Sequence, residues 1–74
     1  MYVLIYKDTN YEAAMLQAET LEQLNDEILE EIKADRLDTD IWEDTGQTLF
    51  RVEANRLTEL HNWRSVQLPQ IQLF

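Results

Sequence analysis

Seventy-four residues with one glycine, one proline and no cysteine carry 15 acidic against six basic side chains, a formal net charge of −9. This length supports one small core, the lack of thiols excludes a disulfide framework or a thiolate zinc site, and like-charge repulsion disfavours nucleic acid and anionic membrane as ligands. A basic partner is favoured instead. No run approaches the ~20 apolar residues of a membrane span, and Met1-Tyr2-Val3-Leu4-Ile5-Tyr6 is too short and lacks the basic flank of a signal peptide, so a soluble cytoplasmic setting is expected.

Tyr2 to Tyr6 is an unbroken β-branched and aromatic run closed by polar Lys7-Asp8-Thr9-Asn10, which predicts a strand and a turn. Tyr11 to Ala18 reads either as the hairpin partner of that strand or, through its Ala and Met residues, as an upstream extension of the next helix. That helix is signalled by Thr20 as N-cap, Gln23 as capping-box partner, and Leu21, Leu24, Ile28 and Ile32 on one face. Its end is expected near Asp35 to Asp38, and Leu24 and Ile28 are core positions. Ile41-Trp42-Glu43 and Thr48 to Val52 flank Asp44-Thr45-Gly46-Gln47, with the only glycine placed where a hairpin turn needs a positive φ, so a second hairpin is expected there. Asn55 to Trp63 carries Leu57, Leu60 and Trp63 at spacings of three, which fits a short helix capped by Asn55 or, alternatively, a strand. From Ser65 the periodicity ends, and Pro69 bars a regular helix through the last ten residues. The expected architecture is α+β. A small antiparallel sheet of three to four strands packs on one acidic amphipathic helix, with a second short helix as an option. One acidic domain spans residues 1–64 and an extended tail spans 65–74.

The charge is not spread evenly. Residues 19–44 hold eleven acids and two bases, Lys33 and Arg36, which accounts for the whole −9; the other 48 residues hold four acids and four bases. On the predicted helix Glu22, Asp26 and Glu30 form one i, i+4 column and Glu27 and Glu31 another, continued by Asp35, Asp38 and Asp40 beyond it. Each like-charged contact costs an isolated helix about 0.2 to 0.5 kcal/mol, so the array carries a local penalty. A solvated face that confers solubility is one reading. The other is a carboxylate array imitating a phosphate backbone. Four helical residues advance about 6 Å, against a charge every ~3.4 Å on one DNA strand, so two columns plus the following acids approach that density where one column does not.

The chain ends in Gln70-Ile71-Gln72-Leu73-Phe74. These residues resemble the bacterial sliding-clamp-binding pentapeptide, whose pattern is Gln, an aliphatic residue, a tolerant position, then Leu-Phe. The resemblance covers five residues. It implies that Leu73 and Phe74 fill a hydrophobic pocket of the clamp, Ile71 fills a neighbouring one, and Gln70 makes polar contacts at the pocket edge. Large apolar anchors next to a neutral donor and acceptor suit groove binding. The competing reading of Ile71, Leu73 and Phe74 is a last strand on this protein's own sheet. Together, tail and acidic body are similar to the small bacteriophage-encoded inhibitors of the bacterial DNA sliding clamp, the β subunit of DNA polymerase III. That resemblance implies a ring-shaped partner with a basic inner surface, inhibition of host DNA replication, and the host bacterial cytoplasm as location.

Enzymatic activity is not expected. His61 is the only histidine, and one glycine cannot build a phosphate-cradling loop. No cofactor is implied, and Asp38-Thr39-Asp40-Ile41-Trp42-Glu43 lacks the glycine and terminal glutamate of a calcium loop, so no metal site is expected. The runner-up function is an acidic DNA mimic blocking another DNA-binding protein, such as a nuclease, repair enzyme or defence effector. A clamp client recruited to DNA by its tail fits the acidity less well. A homodimer through an exposed strand edge or through Trp42 and Trp63 is an option, with a core role as the alternative for both tryptophans.

Overall fold

The computed structural model describes residues 1–63. Its elements in chain order are β1 (Tyr2–Lys7), β2 (Ala13–Ala18), α1 (Leu21–Lys33), α2 (Thr39–Thr45), β3 (Thr48–Glu53) and β4 (Arg56–Leu60). The strands form one antiparallel sheet in the order β2-β1-β3-β4, so the fold is α+β with β1 and β3 central.

The first hairpin closes through Asp8, whose side chain accepts from the Asn10 and Glu12 amides at 2.8 and 3.1 Å, satisfying the turn backbone locally. β2 then pairs along its whole length with β1, from Lys7 with Ala13 to Tyr2 with Ala18. Pairing to a β-branched neighbour outweighs the weak strand propensity of its alanines, and the helical extension of this segment does not form.

Thr20 caps α1, accepting from the Gln23 amide at 3.1 Å, while the Gln23 side chain accepts from Glu19, one residue before the usual capping-box position. The helix ends in a Schellman arrangement: Arg36 donates its amide to Glu31 O and Asp35 donates to Ile32 O. Asp35 therefore stands where glycine is usual, at φ +60°.

Two predicted elements change identity. Ile41-Trp42-Glu43 lies in α2 and not in a strand, because Asp38 accepts from the Asp40 and Ile41 amides at 2.8 and 3.3 Å and so starts a helix at Thr39. Gly46 keeps its positive φ, +78°, but uses it to leave α2 and not to turn a hairpin. The second hairpin is instead β3–β4, turning at Ala54-Asn55 with Ala54 at φ +50°. Residues 56–60 are accordingly a strand, and the optional short helix lies at 39–45, where Asp38 caps it, and not at Asn55 to Trp63.

Both helices cover one face of the sheet. Leu4, Tyr6, Ala18 and Leu49 from that face meet Leu24 and Ile28 of α1, Leu37 of the connecting loop and Trp42 of α2. Full burial of a leucine or isoleucine contributes about 1.5 to 3 kcal/mol, which makes Leu24 and Ile28 the anchors of α1. Trp42 is 1% exposed and sits between Tyr6 and Trp63, ring centroids 5.9 and 6.1 Å away, the second edge-to-face. Trp42 thus belongs to the core, and Trp63 is partly buried against it.

Candidate functional site

The outward side of the helix layer carries the acid. Burial of Leu24 and Ile28 turns the opposite face of α1 to solvent, so Glu22, Asp26, Glu27 and Glu30 are exposed, as are Asp40, Glu43 and Asp44 on α2. Among the described residues no cation lies within ion-pair distance of Glu22, Asp26, Glu27, Asp40, Glu43 or Asp44. Glu30 has a loose partner in Lys33 at 3.7 Å, with both side chains exposed, a contact of little energetic weight.

Three of the acids in the predicted array have local structural work. Glu31 is half-buried and accepts from Arg36 Nε at 2.5 Å. That hydrogen bond, with the charge of Glu31, pushes the Arg36 pKa further up. Asp38 spends its carboxylate on the α2 amides, and Asp35 turns the chain at the end of α1. The surface open to a partner is therefore Glu22, Asp26, Glu27 and Glu30 on one helix and Asp40, Glu43 and Asp44 on the next.

Sequence reading missed one neighbour of this surface. Tyr11, at φ +59° in the first hairpin turn and 59% exposed, lines a shallow open depression with Asp40, Ile41, Glu43 and Asp44. An aromatic ring beside three carboxylates suits a lysine or arginine of a partner, which gains both charge attraction and a π face. Only the pairing of a hairpin turn with α2, 29 residues later by sequence number, brings these residues together, and no local pattern signals it.

Among the described residues no three His, Cys, Asp or Glu side chains are placed so that they could hold a metal ion. No helix there is long and apolar enough to cross a membrane. Gln70, Ile71, Leu73 and Phe74, with the rest of the predicted tail, lie outside the described residues. No family model matches the chain, and neither a curated protein nor a solved structure matches it.

Proposed function

We propose that this chain binds the bacterial DNA sliding clamp and inhibits DNA replication. Gln70, Ile71, Leu73 and Phe74 occupy the pocket used by clamp clients, and the acidic helix layer opposes the basic surface that otherwise receives DNA. The observation that carries the reading is the terminal Gln-Ile-Gln-Leu-Phe in a chain whose entire net charge lies within residues 19–44. The exposed carboxylates of α1 and α2 that have no ion-pair partner among the described residues, Glu22, Asp26, Glu27, Asp40, Glu43 and Asp44, support it, because acids already paired internally have less to offer a basic partner. Two weak contacts on one ring gain affinity through effective concentration when both engage at once.

The test is calorimetric titration of purified clamp with the full chain and with a Leu73→Ala/Phe74→Ala variant. Loss of two central apolar anchors, each worth about 2 kcal/mol or more, lowers affinity by at least about a hundredfold. Undiminished affinity removes the tail from the account. Absence of clamp binding by the full chain, with retained binding to another DNA-binding protein through the same acids, favours the DNA-mimic alternative.

A further inference from the structure

The sheet has a second face that the helices do not cover. Alternation along the strands places Val3 and Ile5 of β1, Met15 of β2, Phe50 and Val52 of β3, and Leu57 of β4 on that outer side. The register joins them as three cross-strand pairs: Ile5 with Met15, Val3 with Phe50, and Val52 with Leu57. Ile5, Met15 and Leu57 are 40, 54 and 61% exposed. The strands' only charged outward positions are Lys7 and Glu59, of opposite sign.

Four strands about 4.8 Å apart and about six residues long make a face of roughly 19 by 20 Å. A largely apolar face near 400 Å² falls within the roughly 300–600 Å² of the largest patch on a typical monomer, a size often functional, and supplies about half of the ~800 Å² per partner of a standard interface. The near-neutral face offers a basic protein no charge attraction. A second copy fits it electrostatically. Layers stack about 10 Å apart, so pairing sheet on sheet holds the two acidic helix layers about 30 Å from each other, beyond three Debye lengths at physiological ionic strength. Pairing through the helix layers would press −9 against −9. The described chain also ends on the other side of the sheet, where Trp63 packs on Trp42.

We infer that the outer sheet face is a homodimer interface: two copies pack sheet on sheet through this face and display their acidic helix layers on opposite outer surfaces. This assignment stands apart from the identity of the partner bound by the acids. Sheet-on-sheet packing through interdigitating apolar side chains is a stable arrangement for two such faces.

Sedimentation velocity and thermal melting of the full chain test it, alongside Met15→Lys and Leu57→Lys, substitutions on the exposed side of the two edge strands. The wild-type chain is expected to sediment at twice its chain mass, with a Tm that falls on dilution, because association stabilises the folded state by mass action. Each lysine variant is expected to lower dimer affinity at least tenfold while keeping the far-UV circular dichroism of the wild type. A wild-type monomer at all concentrations, including one whose outer face is covered by residues 64–74, overturns the assignment, as does a dimer that survives both substitutions. If a variant loses its fold, the dilution dependence of the wild-type Tm still decides between dimer and monomer. Dimer affinity that rises steeply with salt would place the contact on the acidic layers instead and likewise overturn it.

Discussion

Leu4 and Ile5 are neighbours in β1, yet Leu4 is fully buried under the helices and Ile5 is 40% exposed on the opposite face. The same contrast runs across the sheet, with Leu49 buried and Phe50 only partly so. The inner face meets an acidic helix layer that turns its apolar stripe inward and its carboxylates out. The outer face has almost no charge and, among the described residues, no cover. Strand periodicity treats both faces alike; the segregation arises because both helices in the β2–β3 connection pack on one side. A layer whose charge opposes self-association is thereby backed by a nearly uncharged face.

The largest expected effects belong to the inner face. Leu24→Ala or Ile28→Ala should lower unfolding free energy by about 2 to 5 kcal/mol in urea denaturation, since both leave a cavity in a core with few other anchors. Cutting the outer-face Met15 back to Ala should have a much smaller effect on the folded protomer, and an equal effect would break the contrast.

The acids themselves divide in the same manner. Asp38→Ala should cost about 0.5 to 2 kcal/mol through loss of the α2 cap, measured by denaturation. Asp26→Asn should be neutral or stabilising by a few tenths of a kcal/mol, because it removes like-charge contacts within the helix column. Asp35→Gly is expected to stabilise by about 0.5 to 1 kcal/mol, as glycine takes the positive φ without the steric cost that aspartate bears.

At neutral pH the last prediction is silent. Burial first, then the negative charges of Glu31 and Asp8, push the Tyr6 hydroxyl above its ordinary value, with Arg36 opposing. A tyrosine with a raised folded pKa contributes stability that is complete below about pH 10 and is lost as pH rises through the folded pKa. Tyr6→Phe should remove this component of the alkaline decline in Tm.

The sequence was most readable where signals were local. Thr20, Gln23 and the Leu21-Leu24-Ile28-Ile32 stripe marked α1, and the β1 run was plain. Residues 41–43 misled because Ile and Trp favour strands, whereas the deciding feature was Asp38, whose capping outweighs that preference. The β3–β4 turn was hidden because Ala54 holds a positive φ without the glycine that advertises one. Segregation of charge onto one stretch was visible in the sequence, but its division into free carboxylates and capping or paired ones required the positions of Arg36, the α1 terminus and the α2 amides.

The central claim is that the free carboxylates and the tail engage one basic partner together. Its most direct test is clamp affinity measured across a salt series for the full chain and for a Glu22→Gln/Asp26→Asn/Glu27→Gln variant. The variant is expected to bind more weakly at low salt and to converge with the wild type as salt screens the remaining attraction. Identical affinities and identical salt dependence would contradict it.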